Sequence, residues 1–504
     1  MKKRILVLTK GDENWLGGIY YTRNILYVMS FIKDVKKRYD VFLSVSAEWQ
    51  NEFHGLEERL NLQFVPEHIN EERIIELCDE YDIDILFPVT GIGYSWILSD
   101  ICIYWIPDFQ ELHFPENFSA KQIEYRERIN GYIARNHKKL ILSSADALRD
   151  YAKQYPQCIN EVYVVHFSSY IENEIHKITE EFENQVFQKY QISYPYVYIA
   201  NQFWKHKNHI VVLKAIKKIL HEYHMDIHLV CTGRLQCNDN ANQEYFESII
   251  DYIDTNELNA NVHLLGVVDR DEQLCIMKNA RILLQPSLFE GWGCSVEDAK
   301  VMGKTIILSD ISVHKEQKNH DSVTFEKHNE EMLAEVLVNK FGIVKAFDFE
   351  KGGKALVEDS KKYAVELERV LDNIVKAGGE KYVDRLWRYR KDKILELFGN
   401  IDSECIGIYG TGWHTDKIMH YCQLFLEDTN FVFFDSDQSK WGKEYYGSKI
   451  HSIDSVYELG IKRIIISSIK YQEEIFNALC GYLDTIEIKK IYETEDEKQE
   501  RLFF

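Results

Sequence analysis

Proline is scarce in this chain, seven in 504 residues, and no proline-rich or glycine/serine-rich stretch interrupts it. Long disordered linkers are therefore not expected. The ten cysteines are scattered and form no C-x-x-C pair, which excludes a zinc knuckle and a dense disulfide framework and leaves reduced core thiols. An excess of basic charge is also missing. The formal net charge is −21, so a phosphate polymer would gain little from binding here, and nucleic acid is not an expected partner. No run approaches the roughly 20 apolar residues that span a bilayer. The start, "MKKRILVLTK", has too short an apolar run for a signal peptide and reads as a first strand. A cytoplasmic protein is expected, with contact at the inner membrane face left open.

What is present is an alternation of short apolar runs with helical patterns, the mark of parallel α/β layers. Strands are expected at 5–9, 41–46, 62–65, 85–89, 101–106, 140–143 and 162–167. A second series begins near Tyr196 with "YVYIAN", "DIHLVCTG", "NVHLLG", "ARILLQPS", "TIILSD" and "SVTFE". From about 340 to 400 the pattern turns to amphipathic helices rich in both charge signs. A third α/β series starts at "CIGIYGTGWHTDKI" and continues through "NFVFFDSD" and "RIIISS". No short-period repeat is visible.

The stretch "SLFEGWGCSVEDAKVMGK", residues 287–304, concentrates the chemistry. Its loop lies between a buried strand and a helix, at the carboxyl end of a parallel strand, where open α/β sheets bind ligands. Gly291 and Gly293 allow backbone amides close to a ligand, and a helix N-terminus follows, which suits a diphosphate. A carboxylate such as Glu290 accepts two hydrogen bonds from a sugar diol. Glu297 and Asp298 also fit a bland role, favouring the helix macrodipole. Spacing alone does not separate the two readings.

With "PSLFEGWG", "VEDAK", "GKTIILSD" and "VHKEQ" in order, this region resembles the donor site of family-four retaining glycosyltransferases, the glycosyl transferases group 1. That family has two Rossmann-like domains in the GT-B arrangement. A Glu, seven residues and a second Glu mark its nucleotide-sugar site; here the second position is Asp298. By the same resemblance Gly291, Trp292, Gly293 and Asp298 would contact the donor. "IANQFWKHKNH", residues 199–209, resembles the family's basic phosphate clamp, with Lys207 on the donor diphosphate and Gln202 where an Arg is common. A cation at a helix N-terminus beside a strand end is also what a diphosphate needs physically. "ENWLGGIYYTRNIL", residues 13–26, resembles the first glycine loop and nominates Gly18. "CIYWIPDFQELHFPENF", residues 102–118, resembles the acceptor-side loop, with Asp108 as a cleft residue and His113 as a weaker candidate that also reads as packing.

The resemblance implies a same-face substitution. The leaving diphosphate oxygen would assist removal of the acceptor proton, Lys207 would stabilise the diphosphate, and Glu290 would orient donor hydroxyls. Asp435-Ser436-Asp437 is a D-x-D, but it follows the strand after "GTGWHT", closer to the ribose-binding acid of a dinucleotide fold than to a metal site. No metal and no cofactor are expected beyond the nucleotide sugar as co-substrate. Gly410 and Gly412 form an incomplete phosphate-binding fingerprint, so the last domain would either bind a nucleotide or serve as a docking module.

The expected fold class is α/β: two Rossmann-like domains in the GT-B arrangement, at 1–185 and 186–340, a helical linker at 341–400, and a third small Rossmann-like domain at 401–504. The expected activity is retaining transfer of a hexose from a UDP- or GDP-type sugar to a glycan, lipid-linked or protein acceptor, as in polysaccharide biosynthesis. The alternatives are a sugar-binding or scaffold partner without turnover, and a nucleotide-sugar-modifying enzyme acting through its C-terminal domain. Donor, acceptor and oligomeric state are not legible.

Overall fold

The computed structural model describes residues 2–11, 16–68, 70–91, 96–136, 139–236, 240–342, 347–376, 378–399, 406–426, 430–480, 485–494 and 497–498. Part of the first glycine loop, residues 13–15, lies outside them, as do Cys237 and Cys405. The chain forms two compact units. One comprises 1–68, 84–90 and 101–376, and the other 69–83, 91–100 and 377–504.

The first unit holds two parallel sheets. The amino-terminal sheet consists of β1 (Lys3–Leu8), β2 (Tyr39–Ser44), β3 (Leu62–Val65), β4 (Ile85–Val89), β5 (Cys102–Ile106), β6 (Lys139–Leu142) and β7 (Glu161–Val164), in the order β3-β2-β1-β4-β5-β6-β7. The second consists of β8 (Tyr196–Ala200), β9 (His228–Thr232), β10 (Val262–Leu264), β11 (Ile282–Gln285), β12 (Thr305–Ser309) and β13 (Ser322–Phe325), in the order β10-β9-β8-β11-β12-β13. Both orders reverse direction once, at β1/β4 and at β8/β11. Such switch points open a crevice at the carboxyl ends of the strands. The near-continuous apolar runs follow from burial on both faces: every residue of β4, β5 and β11 is buried.

A long helix, Phe349–Asp372, packs on Leu16–Met29 of the amino-terminal lobe and on Cys294–Val301 of the second. It buries Leu356, Tyr363, Ala364, Leu367, Val370 and Leu371, a stripe at helical spacing that faces the core while charged residues cover the other side. Asp348 caps it by accepting the Lys351 N–H at 3.1 Å. One apolar core runs from Ile5 and Tyr21 through Trp292 and Met302 to this helix, so the two lobes share a hydrophobic interior.

The second unit contains β14 (Ile406–Tyr409), β15 (Phe431–Phe434), β16 (Glu444–Tyr445), β17 (Ser448–His451), β18 (Arg463–Ile466) and β19 (Glu487–Lys490), in the order β16-β17-β15-β14-β18-β19. Among the described residues, only β16 runs antiparallel to its neighbour. Helix Glu71–Glu80 belongs to this unit, and its Asp79 caps helix Tyr382–Phe398 by accepting the N–H groups of Tyr382 (2.9 Å) and Val383 (2.7 Å). Separate apolar clusters, around Ile408 and around Ile464, hold this sheet. The fold class is thus mixed α/β with two Rossmann-like parallel sheets and a third small Rossmann-like sheet.

Candidate active site

The second sheet builds its site from the loops after β8 and β11, the pair flanking its switch point. Asn201 and Gln285, at the ends of these strands, exchange two amide hydrogen bonds of 3.1 Å and so satisfy each other while buried. Beyond Asn201 the chain makes a tight turn, Lys205–Lys207. It enters helix His209–Glu222 through Asn208, which sits in the left-handed region at φ 55°. Asparagine tolerates that conformation better than most residues. Its side-chain amide donates to the carbonyls of Pro286 (3.2 Å) and Lys327 (2.8 Å), and the Leu288 N–H donates to His206 (2.7 Å). These bonds hold the two loops together.

The result is that Lys207 Nζ lies 2.6 Å from Glu290 Oε1. Gln285 donates to the same oxygen at 2.7 Å. Burial opposes the charge on Glu290, but Lys207 outweighs it and holds the carboxyl at about 2. Glu290 is therefore ionised at neutral pH. Close by, buried His314 is held neutral, at about 4, chiefly by desolvation. Ser309 gives its hydroxyl hydrogen to the Ser287 carbonyl, so His314 Nδ1–H donates to Ser309 and Nε2 keeps its lone pair. That Nε2 has no hydrogen-bond partner.

The amino-terminal lobe supplies the facing wall. Asp108 follows β5, accepts the Gln110 N–H at 3.1 Å, and has its carboxyl raised by burial. A Cβ on Gly291 would fall 2.8 Å from Asp108 Oδ2 and 3.1 Å from the Pro107 carbonyl oxygen. Glycine is thus required where the loops of the two lobes meet. The Gln110 amide nitrogen lies 3.0 Å from His206 Nδ1. His113 pairs with Asp150 at 2.7 Å, and its ring lies 5.1 Å from Phe289. Gly18 opens the first helix pressed against the loop after β1; a Cβ there would meet the Lys10 carbonyl at 2.7 Å.

Comparison with known proteins fits this geometry. Residues 182–339 match the glycosyl transferases group 1 family. That segment is similar to the group 1 glycosyl transferases. Among curated proteins, none matches the sequence. Among solved structures, Anabaena HepE in complex with UDP and glucose aligns with a TM-score of 0.51 at 14% identity, over 74% of this chain and 100% of that one. Sucrose-phosphate synthase from Thermosynechococcus elongatus aligns at 0.50 and 12% identity, over 73% and 98%. At these identities the likeness concerns the fold, which is GT-B for the first unit.

Other expected residues of this segment are placed differently from Lys207 and Glu290. Asp298 is buried, bonded by the Ser169 hydroxyl and paired with Arg270 at 2.8 Å. Arg270 in turn covers the Tyr20 ring at 4.8 Å. Trp292 is buried in the shared core and donates its indole N–H to the Phe167 carbonyl at 3.1 Å. Gly293 exchanges two 3.1 Å bonds with the Gln317 side chain. Gln202 accepts the Arg234 N–H at 2.8 Å. Glu297 pairs with Lys300 at 3.1 Å, and Lys300 with Asp359 at 2.7 Å.

Sequence reasoning did not nominate Gln285, His314, Gln317, Ser169 or Arg270. His314 and Gln317 lie in "VHKEQ" and Arg270 in the stretch 266–272, but the partners of Gln317 and Arg270, Gly293 and Asp298, are distant in the chain.

In the second unit Gly410 takes φ 105°, and a Cβ there would meet the Ser467 carbonyl at 2.9 Å. Gly412 starts helix Trp413–Phe425. Asp435 Oδ2 accepts the Thr411 N–H (3.0 Å) and the Lys440 ammonium (2.8 Å), and Oδ1 accepts the Asp437 N–H (2.9 Å). Both oxygens are engaged within the fold. Among the described residues no group of three His, Cys, Asp or Glu side chains gathers as a metal site, and no helix is long and apolar enough to cross a membrane.

Proposed function

We propose that the first unit transfers a hexose from a UDP- or GDP-type sugar to a glycan, lipid-linked or protein acceptor, with retention at the sugar carbon. The observation that carries this reading is the Lys207–Glu290 pair, at the switch point of the second sheet and facing Asp108 of the other lobe. The complex of HepE with UDP and glucose supports a nucleotide-sugar donor.

In this reading the ammonium of Lys207 receives the diphosphate. Its release from Glu290 leaves a carboxylate, already ionised, to accept hydrogen bonds from sugar hydroxyls. His314 Nε2 offers a second acceptor next to it. As the sugar–oxygen bond breaks, negative charge grows on the leaving diphosphate, where Lys207 stabilises it. A diphosphate oxygen takes the acceptor hydroxyl proton on the same face, and the new glycosidic bond forms there. Asp108 borders the acceptor path.

A thermal-shift screen of nucleoside diphosphate sugars, followed by mass spectrometry of products, tests the proposal. At least one donor should stabilise the protein and yield free or transferred hexose. A donor that binds without any release would instead favour a sugar-binding partner without turnover. The Asp298–Arg270–Ser169 lock motivates that second reading, because it occupies a carboxylate expected on the donor.

A further inference from the structure

Helix Ser312–Gln317 follows β12 and is six residues long. Its last two side chains serve different lobes. Gln317 is buried and holds the loop after β11, the one that carries Glu290. Its amide exchanges two 3.1 Å bonds with Gly293 and donates to Glu297 at 3.0 Å. Glu316 reaches the amino-terminal lobe instead. Its two oxygens accept the N–H groups of Ala145, at 2.8 Å, and Asp146, at 3.0 Å. These residues open helix Ala145–Gln154, whose own cap, Ser144, takes the Ala147 N–H at 3.1 Å. The free amides of that helix are thus met by a carboxylate from the other lobe, at the end where the helix dipole favours negative charge.

His166, just after β7, completes the join. Its backbone N–H donates to Glu366 of the long helix at 3.2 Å, its Nδ1 lies 2.9 Å from the same oxygen, and its Nε2 lies 3.5 Å from Glu316. Exposed Arg149 stands 3.9 Å from Glu316. Burial opposes the charge on Glu316, but His166 and the two N–H groups outweigh it and hold the carboxyl below its usual range. A surface ion pair between two flexible side chains contributes little; Glu316 differs in binding fixed backbone amides. Glu316 cannot follow a displaced Ala145 helix without moving Gln317, and with it Gly293 at the start of helix Cys294–Val301.

We propose that Glu316 is a positioning residue, which ties the docking of the two lobes to the shape of the loop that carries Glu290. With helix Ala145–Gln154 seated on Glu316, Gln317 holds Gly293 in place; when the lobes part, that hold slackens. Its part in turnover rests on the transferase reading, whereas the mechanical link does not.

Hydrogen exchange of the full chain, without ligand, tests the link from both ends. Glu316→Ala should speed exchange about tenfold in residues 288–296, and Gln317→Ala should do the same in 145–154 of the other lobe. Glu316→Gln keeps one acceptor oxygen for the helix amides, so it should give a smaller rise of the same kind, even if the alanine variant does not fold. Exchange at the far end that stays within about twofold of the parent, in either alanine variant, overturns the link. Kinetics on the same variants read the role. With Glu316→Ala, kcat should fall about tenfold while donor KM changes by less than about threefold, because Lys207 and Glu290 keep their contacts. A kcat at the parent's value, or a loss confined to KM, overturns the positioning role. If the parent turns over no nucleotide sugar, the transferase reading fails and the exchange rates alone decide the link.

Discussion

Replacing Lys207 by alanine removes two things at once. Held at about 2 rather than the usual 4.5, Glu290 contributes roughly 3 kcal/mol to the folded state at neutral pH. This contribution is present above about pH 4.5 and lost as pH falls toward 2. Without Lys207, burial becomes the dominant influence and raises the Glu290 carboxyl, leaving a costly charge in the pocket. The larger effect is on turnover. One preorganised donor at developing charge is worth about 3 kcal/mol in the barrier, or roughly 100-fold in kcat. Steady-state kinetics at saturating donor, with tryptophan fluorescence to confirm folding, reads the loss. Lys207→Arg should recover part of it. A folded Lys207→Ala protein with kcat within about twofold of the parent would refute the assignment of Lys207 to the diphosphate.

Gly291→Ala should act on the cleft rather than on the core. Its new methyl would meet the Pro107 carbonyl and Asp108, so activity should fall at least about tenfold while the melting temperature shifts by no more than a few degrees. His166 links the lobes, with Nδ1 2.9 Å from Glu366 and Nε2 3.5 Å from Glu316. Burial opposes its charge, but the two carboxylates outweigh it and raise the imidazole above the usual 6.5. Its contribution is complete below that pH and fades as pH rises through the raised value. The destabilisation of His166→Gln in urea should therefore be larger at pH 6 than at pH 9, and equal values at both would sink the argument. Asp435→Ala leaves the N–H groups of Thr411 and Asp437 and the Lys440 ammonium without their acceptor. The melting transition of the second unit should drop by about 1–3 kcal/mol equivalent, with transferase turnover unchanged.

Much of the fold is legible in one dimension because strands buried on both faces must be apolar throughout. All seven strands expected in the first sheet are found, and Gly291 and Gly18 stand where backbone crowding requires glycine. The pair Lys207–Glu290 follows from two loops that each read as phosphate or sugar contacts. What stays hidden is pairing at a distance. Nothing near Asp298 in the sequence shows that Ser169 and Arg270 converge on it. Trp292 lies between two glycines in a loop, yet the Phe167 carbonyl, 125 residues earlier, takes its N–H. Glu297 reads as a macrodipole partner, but Lys300 and Asp359 draw it into a buried ion chain. Helix Glu71–Glu80, within the span 1–185, groups with 377–504 because its Asp79 caps a helix three hundred residues later.

The central claim is that a nucleotide-sugar diphosphate sits between Lys207 and the helix that begins after Gly293. A crystal structure of the full chain with the donor selected by the thermal-shift screen tests it most directly. A diphosphate oxygen should lie within hydrogen-bond distance of Lys207 Nζ, with a sugar hydroxyl on Glu290. A donor found instead at the Gly410–Gly412 turn, with the Lys207–Glu290 pair intact, would contradict it.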